Sequence, residues 1–181
     1  MGQTFLKQQN SNGAAADRKE KQIREKIAEL AAIIAGDYRT GKLHIIFVLK
    51  GAFVFCADLI RALSRHDMDI TIDYVITKSY IGKASTGDVK CVVDVAIAGQ
   101  DVLVVEDLLD TGLTLQTLKK ELLKKNPESL RFVCLLDKPY RREVDINADY
   151  VGFEIEDLFV VGYGIDYNEK YRQLPYIGAV D

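Results

Sequence analysis

Val104-Val105-Glu106-Asp107-Leu108-Leu109-Asp110-Thr111-Gly112-Leu113-Thr114 decides how this chain folds and where its chemistry lies. The apolar run from Val102 to Val105 reads as a strand covered on both faces, and it ends on two adjacent carboxylates, Glu106 and Asp107. An Asp-Thr-Gly-Leu-Thr turn follows, then a helical stripe of Leu115, Leu118 and Leu122. A helix that opens on Thr111, Gly112, Leu113 and Thr114 offers several backbone N–H groups and two hydroxyls to one point. With the positive end of the helix dipole behind them, they form a phosphate cradle. Gly112 lets the backbone come close to such a ligand. Helix capping accounts for Asp110 and Thr111, but not for three acids within five positions at a sheet edge, where unpaired charge is costly. Paired carboxylates beside a phosphate suit a diol, a magnesium ion, or both.

Outward from this stretch, strands and helices alternate. Asp17, with Glu20 in a capping-box relation, opens a helix carrying Ile23, Ile27, Leu30 and Ile34, and Gly36 ends it. Leu43 to Leu49 is a buried strand broken by Lys50-Gly51, and Ala52 to about Leu63 is a buried helix. Ile70, Ile72, Tyr74 and Ile76 alternate as in a strand. Residues 78–88 form a long loop with two glycines. Strands are expected over 89–98, 129–136, 150–155 and 159–161. The pattern predicts an α/β domain around a mainly parallel twisted sheet flanked by helices, with ligands at the carboxyl ends of the strands, just after Leu49, Val105 and Leu136.

Composition narrows the function classes. The 181 residues include 24 basic and 27 acidic side chains, a net charge of −3, so no global basic field favours nucleic acid or anionic lipid. With 48% hydrophobic residues the chain is globular rather than disordered. Cys56, Cys91 and Cys134 each lie in an apolar run without C-x-x-C spacing, which argues for buried, reduced thiols. No segment reaches membrane-span length, the N-terminus lacks a signal-peptide pattern, and Leu6 breaks the myristoylation pattern. A cytoplasmic protein without a membrane partner is therefore expected. His44, in a buried strand, reads as a core residue, and His66 as a helix C-terminal residue.

The segment Glu106 to Thr114 resembles the phosphoribosyl-diphosphate (PRPP) motif of the type I phosphoribosyltransferases, in particular their hypoxanthine-guanine branch. The likeness runs from about residue 20 to 181, with several motifs in the family's order. It implies that family's fold, with a loose tail at 1–16, one domain at 17–181, a mobile lid at about 78–88, and a base-binding hood from about 150 to 181 with N-terminal contributions. It implies purine salvage: magnesium-dependent transfer from PRPP to N9 of hypoxanthine, and of guanine, giving IMP or GMP and pyrophosphate. Homodimers or homotetramers are usual in the family.

Site residues follow from the same resemblance. Glu106 and Asp107 contact the ribose hydroxyls, Asp110 to Thr114 hold the 5′-phosphate, and Asp110 is the general acid/base beside purine N7. Lys50-Gly51 matches the pyrophosphate loop, which often holds a non-proline cis peptide; many members have Gly or Ser where this chain has Ala52. Lys138, in Leu136-Asp137-Lys138, donates to the 6-oxo group, and as a donor-only ammonium it disfavours adenine. Phe159, which reads as core by composition, stacks on the purine, and the Val160 backbone reads its edge. Asp166, Glu106 and Asp107 are the expected magnesium ligands, and Arg172 contacts pyrophosphate. Ser79-Tyr80 begins the lid. Tyr140-Arg141-Arg142, with Glu143 and Asp145, reads as a solvated charged turn. Two other readings remain open at this point. One is a PRPP-binding regulator of nucleic acid; the other is a response-regulator-like domain, which the Asp-Thr-Gly-x-Thr loop fits poorly.

Overall fold

The computed structural model describes residues 18–38, 40–79, 89–92 and 94–180. The N-terminal tail, Asp17 and the lid residues 80–88 lie outside the described residues. Helix α1 spans Glu20–Asp37, starting later than the capping pattern predicts, because the Lys19 N–H is satisfied by Gln22 Oε1 at 2.9 Å. Gly36 lies inside its last turn rather than ending it. Strand β1 (Lys42–Leu49) leads into α2 (Phe53–Leu63), then β2 (Asp69–Ser79) and β3 (Val89–Val92). The central unit is β4 (Asp101–Leu109), α3 (Leu113–Leu123) and β5 (Ser129–Asp137). Strands β6 (Tyr150–Glu154), β7 (Phe159–Val161) and β8 (Gly178–Val180) complete the chain.

Six strands form one sheet in the order β3-β2-β1-β4-β5-β6, five of them parallel, with β3 antiparallel at the edge. Both faces are covered, which is why the central strands read as unbroken apolar runs. On one face, Ile45, Leu103, Val105 and Val133 pack under Ile27, Leu30 and Ile34 of α1 and Phe55 and Leu59 of α2. On the other, Ile46, Val104, Phe132 and Cys134 pack under Leu115, Leu118 and Leu122 of α3. Each such side chain contributes about 1.5–3 kcal/mol by leaving water.

Two further elements differ from the sequence reading, and a third, β2, shows which of its faces is covered. Residues 94–98 are not a strand; Val95 and Ile97 are buried against the α3 face without ladder pairing. The row Ile72, Tyr74 and Ile76 points outward, and Val75 on the opposite face is buried. Strand β6 belongs to the main sheet, so the small second sheet begins at Phe159, where β7 pairs antiparallel with β8. Arg18 pairs through its backbone with Ile177, which ties the start of α1 to this second sheet.

The strand order has a functional consequence. Strand β1 connects to β2 on one side and neighbours β4 on the other, so the topology switches between β1 and β4. The crevice outside the carboxyl ends of such strands is where open α/β sheets bind ligands.

Candidate active site

The three strand ends singled out by sequence meet at that crevice. Strand β1 ends on Leu49, joined to Lys50 by a cis peptide bond. Strand β4 runs beside it and ends in Glu106 to Leu109, and β5 pairs with β4 as far as Leu109 opposite Asp137. The Lys138 N–H donates to the Leu109 carbonyl at 3.0 Å, which holds Lys138 next to the Asp110 turn.

The turn from Asp110 to Thr114 is built as a cradle. Gly112 caps α3 with φ of 86°, a left-handed conformation that disfavours side chains. A Cβ there would also lie 2.6 Å from Ile146 Cγ2 and 2.9 Å from Arg142 Cδ. The Leu113 N–H donates to Thr111 Oγ1 at 3.4 Å, and the Thr111 carbonyl accepts from the Glu143 N–H at 2.9 Å. Asp110, Thr111, Gly112, Thr114, Glu106 and Thr77 line a cavity of about 150 Å³ at the start of α3.

Glu106 and Asp107 lie side by side below it. Glu106 Oε2 is shut off from solvent and has no hydrogen-bond partner. Burial, then the charge of Asp107, pushes the Glu106 carboxyl well above its ordinary value. Asp107 presses on the β1 loop, and any Cβ on Gly51 would overlap its carboxylate. A side chain at position 51 would therefore displace the Asp107 carboxylate from this place.

On the other side, Lys138 is 6% exposed, its Nζ 3.7 Å from Asp157 Oδ1. Arg141 reaches across the same space: its Nε lies 3.1 Å from Asp110 Oδ1 and its Nη1 3.4 Å from Asp157 Oδ2. Phe159 is 52% exposed, which corrects the compositional reading of it as core; its ring meets Tyr167 edge-on at 5.5 Å. Val160 is buried within β7, opposite Ala179. Asp166 Oδ1 accepts from Arg172 Nη2 at 2.6 Å and its Oδ2 from the Glu169 N–H at 2.8 Å. Arg172 also donates to the Gly164 carbonyl at 2.7 Å. Lys50 Nζ reaches Glu169 Oε2 at 2.9 Å, and this ammonium lowers the Glu169 carboxyl. The β1 loop is thereby connected to the Asp166–Arg172 loop. Ser79 closes β2, and Tyr80 lies outside the described residues.

Sequence reasoning missed four contributors. Thr77 lines the cradle from β2, Asp157 partners Lys138, and Glu169 holds Lys50. Arg142, read as part of a solvated turn, is instead mostly buried: its side chain is 12% exposed and bonds to the Asp137 carboxylate. No spacing rule marks any of them, because each acts through a contact made across the fold.

A family model described as phosphoribosyl transferase domain matches residues 18–168. The hypoxanthine-guanine phosphoribosyltransferase of Bacillus subtilis (strain 168) is 43% identical over 164 residues, covering 89% of each chain. A crystal structure of a hypoxanthine-guanine phosphoribosyltransferase from Bacillus anthracis superposes with a TM-score of 0.84 at 48% identity, covering 92% of this chain and 96% of that one. The hypoxanthine phosphoribosyltransferase of Trypanosoma cruzi, solved with the product IMP, gives a TM-score of 0.86 at 39% identity, covering 96% and 97%.

Proposed function

The chain belongs to the phosphoribosyl transferase domain family, and from that premise we propose how its site divides the work of the reaction. Its activity is that of a hypoxanthine-guanine phosphoribosyltransferase of purine salvage. N9 of the purine bonds to C1′ of PRPP as the bond from C1′ to the pyrophosphate oxygen breaks. One observation carries the assignment of parts. Asp110 and Lys138, from neighbouring strand ends, are linked through the Leu109 carbonyl beside the cradle of Thr111, Gly112 and Thr114.

In this reading the loop Asp110 to Thr114 holds the 5′-phosphate with backbone N–H groups and hydroxyls at the positive end of α3. Glu106 and Asp107 take the ribose hydroxyls. Lys50, Gly51 and Arg172 bind the pyrophosphate. Lys138 donates to the 6-oxo group, Phe159 offers its exposed ring to the purine face, and the Val160 backbone reads the edge. Asp110 accepts or shares the N7 proton as N9 forms its bond. Arg141 contacts only Oδ1 of that carboxylate. Ser79 and Tyr80 begin a lid that excludes water from the oxocarbenium-like state.

The residues present fit a magnesium ion. The orphaned Glu106 Oε2 lies beside a second carboxylate, the arrangement that a hard cation satisfies. Glu106 and Asp107 would hold it on the ribose side and Asp166 beside the base. When bound, it neutralises charge on the leaving pyrophosphate. Among the described residues no three acidic, His or Cys side chains converge on one point.

No helix among the described residues is long and apolar enough to cross a membrane, and we place the protein in the cytoplasm. We read the outward row Ile72, Tyr74 and Ile76 as a face for a second copy of the chain, in a homodimer or homotetramer.

Titration calorimetry with IMP and AMP tests the base-side assignment. The wild type is expected to bind IMP and to discriminate against AMP, and Lys138→Met to lose that discrimination. Equal preference for IMP over AMP in the variant removes Lys138 as the 6-oxo reader.

A further inference from the structure

Arg142 is placed where the two halves of the site meet. Its Nη1 donates to the carbonyls of both Leu109, at 3.1 Å, and Asp110, and its Nη2 donates to the Asp137 carboxylate. Leu109 and Asp110 lead into the phosphate cradle, whereas Asp137 immediately precedes Lys138. The Arg142 stem also lies behind the cradle, against the one face of Gly112 where a Cβ has no room. One guanidinium thus bonds to the end of β4, bonds to the end of β5 and backs the loop between them.

We propose that Arg142 is a positioning residue that fixes the phosphate cradle relative to the purine reader, so that affinity for PRPP and for the 6-oxo purine depends on it jointly. The inference rests on the assignment of Asp110 to Thr114 and of Lys138 given above.

Peptide planarity supplies the mechanism. A trans peptide points its C=O and its N–H in opposite directions. Holding the Asp110 carbonyl on Arg142 therefore turns the Thr111 N–H away from Arg142. The first donor of the cradle is aimed by a bond made on the other side of the same peptide. At the far end of the guanidinium, Asp137 is only 10% exposed, so its carboxylate depends on that partner. Its position sets where the next side chain, Lys138, leaves the strand.

The planar fork spreads its donors over two nitrogens and so spans both strand ends. A lysine at this position would carry the same charge, but its donors sit on one nitrogen at the end of a shorter, flexible stem without the fixed fork geometry. The neighbouring bonds, Glu143 N–H to the Thr111 carbonyl and Lys138 N–H to the Leu109 carbonyl, keep the turn attached when the fork is lost. Arg142→Lys is accordingly expected to fold while losing the alignment.

The test measures kcat, both KM values and IMP affinity for the wild type, Arg142→Lys and Arg142→Met, with active sites counted by IMP titration. Removing charge-assisted hydrogen bonds of this kind costs about tenfold or more in affinity. We expect both KM values to rise by about that factor in Arg142→Met, with IMP affinity falling alongside and kcat per active site falling less. Arg142→Lys should recover part of the loss. A residue that merely stabilises the fold would lower the number of active sites and leave both KM values unchanged; that result overturns the inference. Should Arg142→Met fail to fold, Arg142→Lys decides alone, and wild-type KM values in it overturn the inference. A wild type that neither turns over nor binds IMP overturns the site assignment itself, and this inference with it.

Discussion

At Asp110, Oδ1 lies 3.1 Å from Arg141 Nε, and the main-chain carbonyl is held by Arg142. The side chain is thus free to exchange one partner for a purine while the backbone stays fixed. Asp110→Asn keeps the shape and removes the basicity. Turnover is expected to fall by about 10²–10⁴-fold. PRPP affinity, measured by calorimetry, should stay within a few-fold, and equal turnover would remove Asp110 from proton transfer. Gly112→Ala makes the complementary prediction. Its φ of 86° and the collision with Ile146 and Arg142 should cost PRPP binding first, read as a raised KM for PRPP against a smaller fall in kcat. Much of the candidate site was legible because its residues are close in sequence. Acids, threonines and glycine sit within nine consecutive positions, from Glu106 to Thr114. Arg142 and Asp157 were not legible, since their roles exist only after a turn brings them across to another strand end. Phe159 misled for a different reason: an aromatic in an apolar strand is usually core, and here β7 presents it on an open face.

Between elements, the β1–β2 pair carries the clearest pH dependence. His44 Nδ1 lies 2.7 Å from Thr71 Oγ1, and its Nε2 is 3.3 Å from Asp73 Oδ2. Burial lowers the imidazole below its usual 6.5, and the pull of Asp73 in the other direction is the smaller effect. On acidification the unfolded chain takes the proton first. The stabilisation from a neutral His44 is therefore complete above about 6.5 and is lost as pH falls through the lower folded-state value. Urea midpoints should drop between pH 7.5 and pH 5.5 in the wild type and drop less in His44→Gln; parallel pH profiles would contradict this. Strands and helices themselves were largely legible from the apolar periods. What periodicity could not supply was the side that is covered. Alternation of Ile70, Ile72, Tyr74 and Ile76 marks a strand correctly, but α1 and α2 lie over β1, β4 and β5 and leave that row of β2 outward. Burial without a ladder, at Val95 and Ile97, imitates a strand in sequence for the same reason.

For the whole molecule, strand order decides where chemistry is possible. The order β3-β2-β1-β4-β5-β6 was not readable from sequence, yet the rule that ligands meet the carboxyl ends of the strands pointed to three strand ends that the fold brings together. The outward row on β2 makes a prediction at this scale. Sedimentation should find a dimer or tetramer, and Tyr74→Glu should shift it toward monomer; an unchanged assembly would place the interface elsewhere. The central claim is that Lys138 and Asp110 read and activate a 6-oxo purine beside bound PRPP. A spectrophotometric assay with PRPP, magnesium and, separately, hypoxanthine, guanine, xanthine and adenine tests it most directly. The account predicts turnover of hypoxanthine and guanine with adenine inert. Turnover of adenine, or PRPP binding without turnover of any base, would contradict it.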